Sequence, residues 1–200
     1  MFQSRGVQPG EPLPPLSVVT LQGAPVTVEQ FRRGRPMVLA TCSLTCNVAR
    51  RNQAFADDLR IRAGTDAMVL MLYTIDAHPA GDPCPYTGHP WVPKDNERDD
   101  VLVRQPATLE ERLALARTYQ ERFGPSALVV VDTMDNAAWE ALGKAPNVAL
   151  LVDSEGIIRL RQGWFEPAAM ETALREECRE ERRQKALERT QAEESEPDSR

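Results

Sequence analysis

Three short, continuous apolar runs separated by helix-like stretches constrain the fold of this chain more than any other feature. The runs are Met37–Thr41, Ala67–Ile75 and Ala127–Val131. Continuous apolar runs of this length are typical of parallel strands that are covered on both faces. Between them, residues 46–62 repeat apolar side chains at helical spacing, and Thr108-Leu-Glu-Glu111 is a capping box that opens a helix to about Phe123. Strands that alternate with helices predict an α/β fold with a mostly parallel sheet.

Shorter elements flank this central pattern and are predicted from alternation, turns and caps. In chain order they are a hairpin at Leu16–Val28 with its turn at Gln22-Gly23, a helical turn at Glu29–Arg32, a short helix at Asp135–Leu142, a hairpin formed by Val148–Val152 and Ile157–Arg161, and a helix from about Pro167. The resulting order, a hairpin followed by β-α-β-α-β-α-β-β-α, is the thioredoxin-like arrangement. The N-terminal β-hairpin is the extension that redoxins and peroxiredoxins add to it.

The chain is long enough for one α/β domain, and its composition divides it into three parts. We predict a flexible leader at residues 1–14, a single thioredoxin-like domain at 15–176 and a charged, helical or disordered tail at 177–200. The net charge of -6, without a basic stripe, argues against a nucleic-acid partner. We find neither a signal-peptide pattern nor an apolar run of membrane-spanning length, so we expect no membrane partner and a cytoplasmic location.

Cys46 stands where the first apolar run gives way to a helix. Either Ser43 or Thr45 is placed to be the N-cap of that helix, so the thiol is expected in its first turn. There, unpaired backbone N–H groups and the positive end of the helix dipole favour the reactive thiolate, and we expect a thiol pKa lowered by about one unit or more. The position predicts a redox or nucleophilic site at Cys46. The alternative is a small buried core thiol.

Polar residues follow the next two predicted strands. Asp76 and His78 come after the second apolar run, and Asn136 closes the segment Asp132-Thr-Met-Asp-Asn136 after the third. Because the carboxyl ends of parallel strands meet at one edge of a sheet, we expect His78 near Cys46. There it would donate a proton or pair with a thiolate as a cation, oriented by Asp76. The alternatives are a solvent-facing histidine and, at Asn136, an Asx cap instead of a polar group facing the site.

Two further cysteines are candidate resolving thiols. Cys42 lies four residues before Cys46, where the alternative is a core residue at the end of the strand, and Cys84 lies in the proline-rich stretch 76–107. A stretch of this length without periodicity is usually functional or disordered. Cys178 falls on the polar terminal helix and is expected to be incidental. In a reducing compartment, four cysteines favour catalysis or metal binding over a disulfide scaffold.

A bound metal is the other chemistry that these side chains offer. The soft or borderline ligands are Cys42, Cys46, Cys84, His78 and His89. Zinc accepts such ligands, but their spacing, C-x3-C…H-x5-C-x4-H, matches no established zinc motif. We therefore expect no metal and no bound cofactor, with an external thiol as the reductant.

Three stretches of the chain carry motifs of one known family. They are Ser43-Leu-Thr-Cys46, Tyr73-Thr-Ile-Asp-Ala-His-Pro79, and Thr108-Leu-Glu-Glu-Arg112 followed by Val131-Asp-Thr-Met-Asp-Asn136. They resemble, in the same order, the Ser-Cys-Thr-Sec, Tyr-Ile-Glu-Glu-Ala-His-Pro, Ser-Leu-Glu-Asp-Arg and Leu-Asp-Thr-Met-Ala-Asn segments of the iodothyronine deiodinases. That family is a branch of the thioredoxin fold, and the resemblance extends from about residue 15 to 166.

This resemblance implies that Cys46 takes the role of the selenium that attacks iodine, with Asp76 and His78 as the acid–histidine pair. The chain also departs from the family. The departures are Leu44 in place of a cysteine, Asn47-Val-Ala in place of Pro-Pro-Phe, Pro106 at the position of a second histidine, and Phe165 near that of an arginine. The last two family residues help to hold the iodothyronine, and no counterpart of the family's N-terminal membrane anchor is found.

Three functions follow from these observations. The first is a thiol-dependent oxidoreductase with a deiodinase-like centre, in which Cys46 attacks a halogen, peroxide oxygen or disulfide sulfur and an external thiol restores it. The second is a peroxiredoxin-like thiol peroxidase, because Ser43 lies three residues before Cys46 as in that family's Thr/Ser-x-x-Cys. The third is a non-catalytic thioredoxin-fold module that binds a partner. The expected ligand is a small molecule, halogenated aromatic or peroxide, and a homodimer is an open possibility.

Overall fold

Residues 5–124 and 128–195 are described in a computed structural model, and seven strands in them form one sheet. The strands are β1 (Ser17–Thr20), β2 (Pro25–Thr27), β3 (Met37–Cys42), β4 (Met68–Tyr73), β5 (Leu128–Asp132), β6 (Ala149–Val152) and β7 (Ile158–Gln162). The helices of this part are α1 (Glu29–Arg32), α2 (Asn47–Ala63), α3 (Lys94–Arg98), α4 (Leu109–Phe123), α5 (Ala137–Ala141) and α6 (Pro167–Ser195). The strand order, β2-β1-β5-β4-β3-β6-β7, places the three predicted apolar runs at the centre of the sheet.

The sheet is mixed, which corrects the expectation of a mostly parallel one. β3 pairs in parallel with β4, and β4 with β5, as the alternation of strands and helices predicts. The remaining pairs are antiparallel, because β1 of the first hairpin pairs with β5 and β6 of the closing hairpin pairs with β3. Each hairpin thus contributes two antiparallel pairs, and the parallel part is limited to the three central strands.

Alternation along β3 divides its side chains between two hydrophobic layers. Val38, Ala40 and Cys42 belong to the layer that contains the buried faces of α2, α4 and α6. Met37 and Leu39 belong to the opposite layer, under α1 and α5. The last side chain of β3 therefore faces the side of the sheet on which α2 packs.

Local signals set the helix boundaries. The Thr108 hydroxyl accepts from the Glu111 backbone N–H at 3.2 Å, so α4 begins at the predicted capping box. Helix α1 occupies the predicted residues. Helix α5 begins two residues later than predicted, because Asn136 adopts a left-handed conformation (φ 58°) before it. A single residue in this conformation interrupts helical geometry, and asparagine tolerates it.

The proline-rich stretch 76–107 is packed onto the domain. It contains the short helix α3, which the sequence pattern does not reveal. Cys84, Asn96 and Val101 in this stretch are each at most 1% exposed. The segment is thus an ordered cover over the carboxyl edge of the sheet.

Helix α6 continues well past the predicted start of the charged tail at residue 177. Cys178 and Glu181 are each 8% exposed. Glu181 accepts from the Ser154 backbone N–H at 2.9 Å, and Arg182 faces Asp66 at 3.7 Å. Two turns of the charged segment therefore pack on the domain, while the division at residue 176 stays a prediction.

Candidate active site

The carboxyl ends of β3 and β4 bring the predicted site residues into one region. The two strands end level with each other, with Cys42 opposite Tyr73. The Thr74 backbone N–H donates to the Cys42 carbonyl at 2.9 Å, so the turns 43–46 and 74–78 begin side by side. Cys46, Asp76 and His78 lie on these two turns.

Asp76 is a fully buried carboxylate with three hydrogen bonds. Its Oδ1 accepts from the Thr45 backbone N–H at 3.0 Å and from the Thr45 hydroxyl at 2.9 Å, and its Oδ2 accepts from the Tyr73 hydroxyl at 2.8 Å. Burial raises the pKa of Asp76, and these hydrogen bonds, with the charge of Arg112, lower it. The Gln105 amide also donates to the Asp76 carbonyl at 2.6 Å, which fixes the turn that carries the carboxylate.

Thr45 connects Asp76 to His78. Its hydroxyl donates to Asp76 and accepts from the His78 backbone N–H at 3.0 Å. The Ser43 hydroxyl acts similarly on the neighbouring residue, accepting from the Ala77 N–H at 3.2 Å. Among the described residues, the Asp76 carboxylate has no bond to the imidazole ring, so the expectation that it orients the ring directly is wrong. Its effect on His78 passes through Thr45.

Cys46 is itself the N-cap of α2, where the sequence predicted Ser43 or Thr45. The Cys46 backbone N–H donates to the Ser43 carbonyl at 3.2 Å, which closes a tight turn after β3. The Cys46 sulfur accepts from the Ala49 backbone N–H at 3.5 Å. The sulfur thus contacts the open N–H groups at the start of the helix, as an N-cap side chain does.

The thiol of Cys46 nevertheless has a raised pKa. Cys46 is 1% exposed, and burial raises its pKa to about 11. The backbone N–H groups of Ala49 and Val48 and the charge of Arg50 lower this pKa by less. The lowered thiol pKa predicted from the sequence is therefore wrong for this closed arrangement. The helix N-terminus stabilises the thiolate as expected, but desolvation outweighs it.

The imidazole of His78 lies beneath the indole of Trp91. Their ring centroids are 4.3 Å apart with an edge-to-face geometry, and His78 is 8% exposed whereas Trp91 is 53% exposed. Burial, followed by the charge of Arg50, lowers the pKa of His78 to about 4. The ring is therefore neutral at pH 7, which argues against a cation that pairs with a thiolate. Its Nδ1 is buried and has no hydrogen-bond partner in the described part of the chain.

Arg50 and Asn96 are site-lining residues that the sequence analysis missed. Arg50 lies one helical turn after the cysteine and donates to the Leu44 carbonyl at 2.7 Å, to Asn96 Oδ1 at 3.0 Å and to Asp99 Oδ2 at 3.0 Å. Asn96 in turn donates to the Thr45 carbonyl at 2.9 Å. An arginine within the apolar stripe of α2 was a usable signal, since a buried charge needs a partner. Asn96 gave no such signal.

The candidate resolving cysteines are both buried. All four cysteines are free thiols, and Cys42 and Cys84 are each at most 1% exposed. Cys42 shares a hydrophobic cluster with Cys46. The Cys84 backbone is held in its loop, where its N–H donates to the His89 carbonyl at 3.1 Å. Cys178, on α6, packs near Leu174 and Leu59 on the other side of α2.

Asn136 reaches the site only through Arg112. Its Oδ1 accepts from the buried Arg112 guanidinium at 2.8 Å, and Arg112 also donates to the Thr133 carbonyl at 2.7 Å. Asn136 is the N-cap residue of α5 but makes no side-chain cap bond, and the Asp132 carboxylate accepts from the Trp139 backbone N–H at 2.8 Å instead. Asn136 therefore positions an arginine whose charge lowers the pKa of Asp76.

A cleft of about 780 Å³ lies beside the Asp76 turn, on the far side of Gln105. Its lining includes the apolar side chains of Val103, Pro106 and Leu115. The exposed, charged side chain of Arg104 also lines it. Its size suits a small organic molecule. Pro106, at the position of a deiodinase histidine, removes a polar group from this lining.

Neither a metal site nor a membrane span is found in the described residues. No three His, Cys, Asp or Glu side chains there are arranged to hold a metal ion. No helix in residues 5–124 or 128–195 combines the length and the apolar character needed to cross a membrane.

Solved structures with the same fold are thioredoxin-like redox proteins. A candidate protein disulfide isomerase from Bacteroides thetaiotaomicron aligns with a TM-score of 0.56 and 20% identity, over 88% of this chain and 94% of that chain. A thiol peroxidase from Chromobacterium violaceum aligns with a TM-score of 0.52 and 14% identity, over 86% and 88%. The exposed lipoprotein thioredoxin Etrx1 from Streptococcus pneumoniae gives 0.52 and 15%, over 81% and 98%. These similarities confirm the predicted thioredoxin-like α/β class.

The sequence itself matches one family model. A search of curated proteins finds no match. The model of the iodothyronine deiodinases matches residues 2–175, which include the turn with Cys46, the turn with Asp76 and His78, and helix α4. This confirms the resemblance found in the three sequence motifs. The chain therefore belongs to the iodothyronine deiodinase family.

Proposed function

We propose that this protein is a thiol-dependent oxidoreductase in which Cys46 attacks a soft electrophile, with reductive dehalogenation of a small aromatic molecule as the favoured reaction. The observation that carries this proposal is the buried chain of hydrogen bonds from Asp76 through Thr45 to His78, next to the cysteine at the N-cap of α2. Family membership supports the redox chemistry. It leaves the substrate open, because the departures lie at residues that hold the hormone.

In the proposed reaction, the Cys46 thiolate attacks the halogen of a carbon–halogen bond. An S–halogen bond forms, the carbon–halogen bond breaks, and the carbon takes a proton, so the aromatic molecule is reduced and the sulfur is oxidised. A thiol then attacks the sulfur, releases halide and forms a disulfide with Cys46. External thiol reduces that disulfide, restores Cys46 and leaves as a disulfide itself. Two reducing equivalents from thiols thus balance one dehalogenation.

His78 is the proposed proton donor. A pKa of about 4 keeps its imidazole neutral at pH 7, so the ring can accept the proton of the Cys46 thiol and then, as an imidazolium, deliver it to the carbon. Its Nδ1 lacks a partner among the described residues, so it is available to a polar group of the substrate. The hydrogen bond from the His78 backbone N–H to the Thr45 hydroxyl fixes the position of this residue and so of its ring.

Substrate entry is the proposed trigger that activates Cys46. In the closed arrangement burial is the largest influence on the thiol pKa, and the Ala49 and Val48 N–H groups and Arg50 oppose it. When Trp91 and His78 move apart, burial decreases while the N–H groups and the arginine remain. The pKa of the thiol then falls when a substrate is present. Without a substrate the thiol stays protonated, which protects it from other electrophiles.

Halide release from a panel of iodinated, brominated and chlorinated phenols, iodotyrosines and iodothyronines, driven by dithiothreitol, tests the proposal. We expect release from at least one compound and a loss of about 100-fold in kcat for His78→Gln, in line with the usual effect of removing a proton donor. His89→Gln, at an exposed histidine, is the matched control and should retain activity. If no compound releases halide at a rate above that of dithiothreitol alone, dehalogenation is excluded.

A thiol peroxidase is the second candidate. Ser43 stands three residues before Cys46, and the similarity to a thiol peroxidase shows that the fold accommodates that reaction. The same panel should include hydrogen peroxide and cumene hydroperoxide. Hydroperoxide turnover without halide release would assign this function, and a failure of every substrate, together with an unreactive Cys46, would favour the binding module.

The four free thiols also lead us to propose a reducing compartment, such as the cytoplasm.

A further inference from the structure

Cys42 and Cys46 lie at the two ends of one short turn, close enough for the charge of Cys46 to raise the pKa of Cys42. Cys42 is the last residue of β3, and its side chain lies in the layer against which α2 packs. Cys46 begins α2, and its side chain belongs to the same cluster. The hydrogen bond between the Cys46 N–H and the Ser43 carbonyl turns the chain back within these few residues. Two thiols four residues apart therefore share one side of the sheet.

We propose that Cys42 is the resolving thiol, which forms an internal Cys42–Cys46 disulfide after Cys46 has been oxidised. This inference rests on the proposed function, since it assumes that Cys46 reacts first. With a hydroperoxide as oxidant, the Cys46 thiolate takes the distal oxygen, the O–O bond breaks, and an alcohol or water leaves. Cys42 then attacks the sulfenic sulfur, the S–S bond forms, and the S–OH bond breaks to release water. A halogenated substrate gives the same disulfide with loss of halide.

Burial is the first reason to prefer an internal thiol. Cys46 is 1% exposed and Cys42 is 0% exposed, so an external thiol cannot reach the oxidised sulfur until the cover opens. Cys42 is already in place. An internal disulfide then protects Cys46 from further oxidation, and the external reductant acts afterwards on the disulfide.

The surroundings of Cys42 hold its side chain in place. Burial raises the pKa of the Cys42 thiol well above its ordinary value, and a hydrogen bond with the Tyr119 hydroxyl lowers it by less. The Tyr119 oxygen lies 2.5 Å from Gln53 Oε1, which holds the phenol beside the thiol. The turn between the two cysteines contains no proline, so it can adjust as the sulfurs approach bonding distance. Leaving the N-cap costs Cys46 only a 3.5 Å contact with the Ala49 N–H.

Cys84 and Cys178 fit the role less well. The Cys84 side chain belongs to neither hydrophobic cluster of the described residues, and the Cys84 carbonyl accepts from the Gly88 N–H at 2.9 Å, so its loop would have to rearrange. Cys178 belongs to the same hydrophobic cluster as Cys42 and Cys46, but it lines a cleft with Leu59, Ala63 and Leu174, beside the last turn of α2 and not its first. Leu44, which stands at the family's cysteine position, offers no thiol at all.

Peptide mapping of the full-length protein tests the pairing. The protein is treated with one equivalent of hydrogen peroxide, alkylated and digested with trypsin. Residues 34–50 form one tryptic peptide with both Cys42 and Cys46, whereas Cys84 lies in the peptide 63–94 and Cys178 in 176–179. We expect an unalkylated 34–50 peptide that lacks two hydrogens. Linkage of 34–50 to 63–94 or to 176–179 would overturn the proposal.

Variants separate this proposal from the proposed function. In Cys42→Ser we expect the sulfenic acid at Cys46 to persist and react with dimedone, while Cys84→Ser and Cys178→Ser still give the internal disulfide. Dimedone adducts at wild-type Cys46 without the disulfide would refute the resolving role alone. A Cys46 that neither hydrogen peroxide nor any halogenated compound of the panel oxidises would refute the proposed function. Cys42→Ala and near-ultraviolet circular dichroism distinguish a chemical effect from a failure to fold.

Discussion

At the scale of single residues, burial and the neighbouring groups shift the pKa values of two ionisable side chains in the site. Burial raises the pKa of the Cys46 thiol, while the first N–H groups of α2 lower it. Burial lowers the pKa of the His78 imidazole, so both groups are neutral in the closed structure. The Cys46 thiol is therefore protonated in the closed structure. The reaction cannot begin until that proton has been removed.

His78 should make the folded state sensitive to acid. Its pKa in the folded protein, about 4, lies below the ordinary value of 6.5, so its contribution to stability is complete above pH 6.5 and is lost as the pH falls towards 4. Between pH 7 and pH 4.5 we expect wild type to lose about 1–2 kcal/mol more of its free energy of unfolding than His78→Gln, because the shift from 6.5 to about 4 is only partly titrated at pH 4.5. Urea unfolding at several pH values measures this, and identical slopes for both proteins would contradict it.

Arg50 should be far more important for stability than an exposed arginine. Its guanidinium is buried and bonded to Leu44, Asn96 and Asp99. Arg50→Met leaves those partners unsatisfied and should lower the free energy of unfolding by about 2–4 kcal/mol.

Arg62→Met on the same helix is the matched control. Arg62 pairs with Glu171 at the surface, so its loss should leave the urea midpoint unchanged within error. Equal midpoints for the two variants would show that the network around Arg50 contributes nothing.

At the scale of elements, the predictable parts were those with their own local signals. The capping box at Thr108 set the start of α4, and the apolar runs gave β3 and β4. Helix α3 was missed because its five residues are charged or polar and carry no apolar period. The N-cap of α2 was assigned to the neighbours of Cys46, because serine and threonine are the usual capping residues.

The cover formed by Trp91 should control access to the site. Its indole is half exposed and lies over His78, on the turn beside the one that carries Cys46, so we expect Trp91→Ala to open a path to the buried thiol. We expect iodoacetamide to alkylate Cys46 at least tenfold faster in this variant at pH 8. Phe55→Ala, at a similarly exposed aromatic residue on α2, should alkylate at the wild-type rate.

The pH dependence of that alkylation provides an internal check. A thiol pKa of about 11 predicts a wild-type rate that rises without a plateau from pH 7 to pH 10. A plateau near pH 8 would mean that the closed site does not desolvate the thiol. Equal rates for wild type and Trp91→Ala would show that the indole is not the cover.

Truncation of α6 locates the end of the packed domain. Ending the chain after Gln184 removes residues 185–191, which are exposed, together with those that follow them, and should leave the melting temperature within about 2 °C of wild type. Ending it after Glu176 removes buried Cys178 and the bond between Glu181 and Ser154, and should cost about 2 kcal/mol or more. Thermal unfolding followed by circular dichroism measures both. Equal melting temperatures would support a domain that ends at residue 176.

At the scale of the whole molecule, the sequence was sufficient to predict the fold class and the proximity of two turns at one edge of the sheet. The relative direction of the strands was harder to predict. A hairpin pattern identifies its own two strands but not the neighbouring strand with which it pairs, and the pairing of β1 with β5 is set by tertiary contacts. The sign of the Cys46 pKa shift was missed for a related reason. A helix N-terminus is visible in sequence, whereas the depth of burial depends on the cover from residues 76–107.

The central claim is that Cys46 is the residue that reacts. It is tested most directly by the dithiothreitol-dependent turnover of whichever panel substrate is processed fastest, compared between Cys46→Ser and Cys178→Ser. Both cysteines are buried, so the two substitutions remove the same atom from similar surroundings. We predict that Cys46→Ser retains less than about 1% of the wild-type kcat, while Cys178→Ser stays within twofold. Turnover by Cys46→Ser at the wild-type rate would contradict the account.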